Sequence, residues 1–352
     1  MKLEGKNILL MMPDFYSLRK EIEEELIHSG ASVTYIETYV EKENFRLNRT
    51  ILSFFNFVKN PFYKLRFSNR IKREYDLTGL DYLLVIGIYS GTDKFISYLK
   101  MVNSKIITIY YFWDAFITWN FSKYIHLFDY KYTFDRADFN NYKSTGLSYL
   151  PLYFTKIKPF QNNIYDITHV GTLSPKYTKR VFVLNKVFEL SKKYNLNTFI
   201  RLYAPALNSS FFKKRGFKNS ISCRINYILS KEYRNHINEL KKYYSCGFLY
   251  DHKLSEKECT IIESSSKTIL DVNINNAGSA YRIIKALSQG KKVITTNPYL
   301  KYESFYCSEN ILIIDKDNPV IDTEFINSEF KPLDIEYLEL SQWLNKILLT
   351  EC

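Results

Sequence analysis

The chain has 352 residues, 46% hydrophobic, 24% charged and 17% aromatic, a length that suits two domains and an apolar content that excludes global disorder. Eleven Gly and nine Pro exclude a collagen-like or linker-dominated chain, and no apolar run approaches the roughly 20 residues of a membrane-spanning helix. Forty-nine Lys and Arg against 37 Asp and Glu leave a formal charge of +12, which attracts nucleotide diphosphates, anionic lipid surfaces or nucleic acid.

The opening stretch MKLEGKNILLMMPDF ends its apolar run at Pro13 and Asp14, too early for a signal-peptide core, and a cytoplasmic location is expected. From there, β-branched or aromatic runs alternate with helical patterns, the sequence form of βαβ units stacked on parallel sheets. In the first half, strands are expected at Asn7 to Met12, Ser32 to Thr38, Tyr82 to Ile88, Lys105 to Tyr111, Tyr130 to Phe134 and Leu147 to Leu150. A helix from Ser17 to His28 is closed by Gly30.

The second half repeats the plan, with strands near Asp166 to Val170, Thr198 to Tyr203, Gly247 to Tyr250, Thr268 to Asn273, Lys292 to Thr296 and Asn310 to Ile314. Ser255-x-x-Glu258 is a capping box, and Gly290 stops a helix that starts near Ser279. The fold class is therefore α/β, with two Rossmann-like domains at 1–152 and 164–333. Residues 153–163, without periodicity, read as the linker. In 334–352, Ile335, Leu338, Trp343, Leu344, Ile347 and Leu348 recur at near-helical spacing and predict a closing C-terminal helix.

The five cysteines (Cys223, Cys246, Cys259, Cys307, Cys352) form no CxxC, which fits reduced thiols rather than a disulfide framework or zinc site. Five histidines show neither HExxH nor an i, i+4 pair, so no metal cluster is expected. His169, and His252 with Lys253 after the strand FLYD, fall at sheet edges, where lining a ligand cleft and ordinary packing are both open readings.

The strongest local signal is KTILDVNINNAGSAYRIIKALSQGKKVITTN, Lys267 to Asn297. A buried strand ends at Asp271, a polar loop with Asn273 follows, and Gly278 and Ser279 open a helix. Backbone N–H groups and the positive dipole end there would face out from the carboxyl edge of the sheet, where anions bind in open α/β folds. Arg282, one turn in, would add a forked donor to a diphosphate. The same pattern also describes a strand-loop-helix unit that binds nothing, with Arg282 solvated.

With the run ILDVN…R…ALSQGKKVITTN, the strand ILIID, the closing YLELSQWLNKIL, and DYLLVIGIYSG, ITIYYFWDAF, YTFDRADFNNY, LSYLPLYF and YDITHVGTLSPKY in that order, the chain resembles bacterial GT-B glycosyltransferases of lipopolysaccharide and capsular polysaccharide biosynthesis. That resemblance implies two Rossmann-like domains facing each other across a cleft. It implies a nucleotide sugar held mainly by the C-terminal domain, and a glycan acceptor, lipid-linked or part of lipopolysaccharide, at the N-terminal one. Matching positions place Gly171 and Thr172 in the loop after the first strand of the donor domain and Gly278, Ser279 and Arg282 at the diphosphate. Relatives carry Glu on the donor where this chain has Lys285. A cation there meets phosphate or an acidic sugar, or it marks an altered donor or lost activity. The last case leaves a non-catalytic GT-B-like scaffold of a polysaccharide assembly complex as the alternative reading.

An inverting transferase needs a base beside the acceptor hydroxyl and stabilisation of the departing diphosphate. The resemblance assigns the second task to side chains and a helix terminus, so neither metal nor cofactor is expected. Asp114, in YFWDAF after a strand, is the first candidate base and Asp14 the second. An Asp in that position also serves as a helix cap or turn residue. Asp315-Lys316-Asp317 has the form of a metal-binding DxD, but Asn318-Pro319 directly after it favours a turn.

From Phe45 to Tyr75, Arg46, Arg49, Lys59, Lys64, Arg66, Arg70, Lys72 and Arg73 interleave with Phe54, Phe55, Phe57, Phe62 and Phe67, and Pro61 divides two expected helices. The mixture suits a peripheral contact with an anionic membrane surface. Aromatics in a core with a solvated basic face are the other reading. Nucleic acid is a third, with no recognised binding module to accompany it.

Overall fold

The computed structural model describes residues 3–15, 17–38, 61–118, 120–156, 163–209, 211–212, 217–274 and 277–348. Residues 45–60 of the basic aromatic stretch, 157–162 of the expected linker, and Cys352 lie outside them. The chain divides into two units: Met1–Thr155 with Ala277–Ser279 and Glu336–Cys352, and Lys156–Asn276 with Ala280–Ile335. Among the described residues no helix is long and apolar enough to cross a membrane.

The first unit is built on six parallel strands, β1 (Asn7–Met12), β2 (Ser32–Glu37), β3 (Tyr82–Ile86), β4 (Ile107–Phe112), β5 (Tyr130–Thr133) and β6 (Leu147–Tyr149), in the order β2-β1-β3-β4-β5-β6. Ile8 to Met12 and all of β3 are buried, as strands covered on both faces must be, so their sequences are continuous apolar runs rather than alternations. Helices α1 (Leu18–His28), α2 (Pro61–Glu74), α3 (Asp93–Val102) and α4 (Arg136–Tyr142) connect them. α1 turns Leu18, Ile22 and Leu26 inward, one helical face. It ends at Gly30, where φ is +95° and a Cβ would stand 3.0 Å from the Glu4 Cα, so the turn and the close approach both require glycine.

An aromatic cluster fixes the carboxyl edge of this sheet. The Tyr110 ring packs on Phe112 at 4.0 Å and Phe128 at 4.9 Å between centroids. Its buried hydroxyl donates to the Gly87 carbonyl (2.8 Å) and accepts from the Tyr89 N–H (3.2 Å), so the turn after β3 is tied to the core.

The second unit is a second parallel sheet, β7 (Tyr165–Thr172), β8 (Thr198–Tyr203), β9 (Leu249–Tyr250), β10 (Ser266–Asp271), β11 (Lys292–Thr295) and β12 (Ile311–Ile313), in the order β12-β11-β10-β7-β8-β9. Its helices are α5 (Lys179–Lys193), α6 (Phe217–Leu229), α7 (Lys231–Lys242), α8 (Glu256–Ser264), α9 (Tyr281–Ser288) and α10 (Thr323–Asn327). α5 buries Val181, Leu184 and Val187 against a core that includes Leu202, Leu270 and Ile294, and α9 buries Ile283, Ile284 and Leu287.

The twelve strands fall where the apolar runs place them, with ends shifted by a few residues. The Ser255–Glu258 capping box is formed in both directions, and Gly290 (φ +68°) follows α9. α9 begins at Tyr281 with Ala280 as its N-cap, two residues later than Ser279, because Ala277 and Gly278 are held extended by bonds to Asp135. The closing helix α11 (Leu340–Leu348) belongs to the first unit. There Trp343, fully buried, packs on Tyr111 and Tyr153 and donates its indole N–H to the Pro151 carbonyl at 2.9 Å.

Candidate functional site

In both sheets the chain leaves the first strand in one direction and later returns on its other side. This places a topological switch point between β1 and β3 in the first unit and between β7 and β10 in the second. Ligands of open α/β sheets bind outside the carboxyl ends of the strands at such points. In the second unit that position is lined by the ends of β7 and β10 and the first turns of the helices that follow, α5 and α9.

Each of these helices carries an arginine near its start. Arg180 of α5 donates from Nε to the Val272 carbonyl (3.1 Å) and from Nη1 to the Thr172 carbonyl (3.3 Å). Burial, and next the Arg282 guanidinium, pull its pKa down to about 10. Arg282 of α9 has its Nε 3.8 Å from Asp271 Oδ1. Two guanidiniums thus bear on each other against one nearby carboxylate, and the balance of charge at this point is positive.

His169 lies between them. Its Nδ1 is 2.8 Å from the Leu270 carbonyl, which assigns the ring proton to Nδ1 as donor. Arg282 Nη1, 3.2 Å from the same nitrogen, therefore packs against the ring without bonding to it, since both groups are donors. The fully buried ring is held neutral, its pKa driven far down by desolvation and then by Arg282 and Arg180. Its Nε2 has no hydrogen-bond partner among the described residues. A Cβ on Gly171, near the end of β7, would stand 3.1 Å from Nε2, tighter than an ordinary contact, and 3.7 Å from Arg282 Nη2.

The helix starts reinforce the pattern. Within this unit α7, α8 and α10 are closed by the side chains of Ser230, Ser255 and Asp322. α5 and α9 have no side-chain cap. A helix start without a side-chain cap presents N–H donors and a positive dipole end, and each of the two at the switch point has an arginine as its second residue.

The remaining positions in this unit are spread more widely. Thr172, exposed at the end of β7, serves Arg180 through its carbonyl. Asn273 exchanges backbone bonds with the Thr296 hydroxyl at 2.9 and 2.7 Å. Lys285, largely buried on α9, is ion-paired with Glu263 of α8 at 3.1 Å. His252 is exposed at the edge of β9 and bonded to Asp251 (2.9 Å) and to Arg201 Nη2 (2.6 Å), with Lys253 Nζ 5.5 Å from the Tyr203 ring.

In the first unit, Gly87 (φ +79°) closes the switch point, with Pro13 and Trp113 side-chain atoms 3.5 and 3.6 Å from where a Cβ would be. Asp14 and Asp114 follow those two residues directly, so both carboxylates stand at one sheet edge on either side of the Gly87 turn. Asp14 is exposed and accepts from Arg19 Nε at 3.3 Å. Asp114 is half-buried in the turn after β4. Nearby, Asp138 accepts from the Phe116 N–H at 2.8 Å. Its carboxyl is pushed up to about 7, chiefly by burial, with the Asp135 charge adding to the rise. Asp135 caps α4 through the Asp138 N–H (3.0 Å) and accepts the Ala277 N–H (2.6 Å). Gly278 has no room for a Cβ, which would fall 2.4 Å from the Phe134 carbonyl oxygen. Ser279 is fully buried and its hydroxyl has no partner among the described residues.

Asp315 accepts the N–H groups of Asp317 (2.8 Å) and Asn318 (2.7 Å), so the DxD closes an exposed turn. Among the described residues no group of three or more His, Cys, Asp or Glu is gathered as metal ligands would be.

No protein-family model matches the chain, and no curated protein matches it in sequence. Among solved structures it is similar to the sucrose-phosphate synthase of Thermosynechococcus elongatus, with TM-score 0.50 and 9% identity over 98% of this chain and 90% of that one. It is also similar to Anabaena HepE in complex with UDP and glucose, with TM-score 0.50 and 10% identity over 97% and 94%. The fold is GT-B-like. Arg180 and the neutral His169 are the residues of this GT-B-like chain whose roles sequence reasoning did not reach. The sequence carries no signal for the first, because Thr178 at the cap of α5 reads as an ordinary N-cap residue.

Proposed function

We propose that the chain is a glycosyltransferase that takes its sugar from a nucleotide-sugar donor. The observation that carries this reading is the pair Arg180 and Arg282 on the two uncapped helices at the switch point of the second sheet. A diphosphate supplies the negative charge that this cluster lacks, and forked guanidinium contacts suit its oxygens. The UDP and glucose in the Anabaena HepE structure support the same ligand class.

In the reaction proposed, the bond from the anomeric carbon to the diphosphate oxygen breaks and the electron pair leaves with the diphosphate, onto Arg180 and Arg282. The acceptor hydroxyl oxygen forms the new bond to that carbon, and its proton passes to Asp114, with Asp14 the second candidate. Gly171 and Thr172 shape the donor edge, and Lys285 holds α9 to α8 through Glu263. The residues assigned need no metal, and the acceptor is a glycan, carried on a lipid or on lipopolysaccharide. A panel of nucleotide sugars, scored for nucleotide release with and without acceptor glycans, should give at least one acceptor-dependent hit.

The Lys285–Glu263 pair favours one other reading. It occupies with a neutralised pair the position where the resemblance places a donor-binding Glu, as a scaffold that has lost turnover would. Nucleotide binding without release of product from any donor would select that reading.

A further inference from the structure

We infer that Asp135 is a positioning residue for the donor site: it holds the strap Ala277–Ser279 extended, and so keeps Ser279 from capping α9. The inference rests on the transferase reading for the ligand that the open helix start receives. Ala277–Ser279 belong to the first unit, although the residues on both sides of them belong to the second. Asp135, at the end of β5, is almost fully buried. Its Oδ1 accepts the Asp138 N–H at 3.0 Å and caps α4. Its Oδ2 accepts the Ala277 N–H at 2.6 Å, from 142 residues along the chain, and its backbone forms an antiparallel bridge with Gly278. Capping needs only one oxygen: Ser or Asn serves as well as Asp and brings no charge into the interior. The second oxygen is what the carboxylate adds, and the strap is what it holds. Gly278 lies so close to Phe134 that a Cβ would fall 2.4 Å from both its carbonyl oxygen and its ring Cδ2.

The strap overrides a local preference. Ser is among the best N-cap residues, so a chain free of the strap would start α9 at Ala280 and close it with the Ser279 hydroxyl. In the structure Ser279 is instead fully buried, its hydroxyl has no partner among the described residues, and the cap falls to Ala280 at φ −62° and ψ 148°. Alanine has no side chain that accepts a hydrogen bond, and the first N–H groups of α9 stay open. A buried hydroxyl left without a partner costs stability. That cost is accounted for if the same N–H groups are kept for a ligand. Arg282, the second residue of α9, stands in the turn that this arrangement leaves open, with its Nε 3.8 Å from Asp271 Oδ1. Asp135 thus acts on the donor through the strap and the start of α9, without touching the ligand itself.

Titration of UDP into variants of the full chain tests the inference. Asp135→Ser keeps a cap for α4 and loses the acceptor for Ala277, and it should bind UDP about tenfold more weakly than the wild type. Adding Ser279→Ala should restore affinity to within about threefold of the wild type, because the competing cap is gone. A purely structural role for Asp135 would not be rescued by a further truncation in the interior. Asp135→Asn, with one acceptor oxygen in place of two, is the second variant and should behave alike. Hydrogen exchange on the same proteins reads the strap without a ligand. Ala277 and Gly278 should exchange at least ~10-fold faster in both variants, while residues 136–142 keep wild-type protection. Unchanged UDP affinity, a further loss on adding Ser279→Ala, or wild-type exchange at Ala277 would each overturn the proposal. If the wild type itself binds no UDP, the donor reading falls, and exchange at Ala277 still decides whether Asp135 holds the strap.

Discussion

Both sheets are parallel and six-stranded, with their strands in the order 2-1-3-4-5-6 in the first and 3-2-1-4-5-6 in the second, and they carry opposite chemistry at their switch points. At the switch point of the first sheet the chain places two carboxylates, Asp14 and Asp114, around a glycine turn held by Pro13, Trp113 and Tyr110. At that of the second sheet it places two guanidiniums, a neutral imidazole and two helix starts without side-chain caps. A parallel sheet with a strand-order reversal offers a ligand site on geometric grounds alone. What the site does is decided by a handful of residues in the first turn after each strand. In the function proposed, the first edge takes a proton and the second holds a polyanion.

That division predicts separable phenotypes, from largest to smallest. Asp114→Asn should lower turnover about 100-fold or more while leaving donor affinity intact, a kcat effect without a binding effect. If Asp14→Asn shows the larger loss, the base is on the other side of Gly87. Gly171→Ala should cost donor affinity about tenfold, because the added Cβ meets His169 Nε2 at 3.1 Å and displaces the ring or Arg282. Equal affinity would separate His169 from the site.

Next comes a pH effect confined to the first edge. Asp138, with a folded pKa of about 7 against an ordinary 3.8, favours the protonated form in the folded state. Its stabilisation is complete below about pH 4 and is lost as pH rises through 7. Thermal melts should therefore show Asp138→Asn gaining on wild type between pH 5 and pH 8, and parallel curves would remove Asp138 as the cause. The smallest effect belongs to Lys285→Ala. Losing the partner of Glu263 should lower the melting temperature by a few degrees and change nucleotide affinity less than about threefold. A tenfold loss would move Lys285 from packing to the ligand.

The strands were legible because burial on both faces demands unbroken apolar runs: NILLMM and YLLVI are visible as such in the sequence. Capping boxes and left-handed glycines were legible for the same local reason. What escaped depends on pairing across long stretches of chain. α9 starts at Tyr281 because Asp135, 142 residues earlier, holds Ala277. Lys285 looked like a cation available to a ligand, and its partner Glu263 sits one helix away. His169 was placed at a sheet edge by its position, but its neutral state follows from the burial of the ring against Arg180 and Arg282, which no spacing in the sequence encodes. The basic aromatic stretch divides within a single helix: Phe67 goes to the core and Phe62 to the surface.

The central claim, that the second sheet's switch point holds a diphosphate, is tested most directly by calorimetric titration of UDP into the wild-type chain and into the Arg180→Ala/Arg282→Ala variant. Charge-assisted hydrogen bonds contribute about 1.5–3 kcal/mol each, so the account predicts saturable binding by the wild type and at least ~100-fold weaker binding by the double variant. Equal affinity in the two proteins would contradict it.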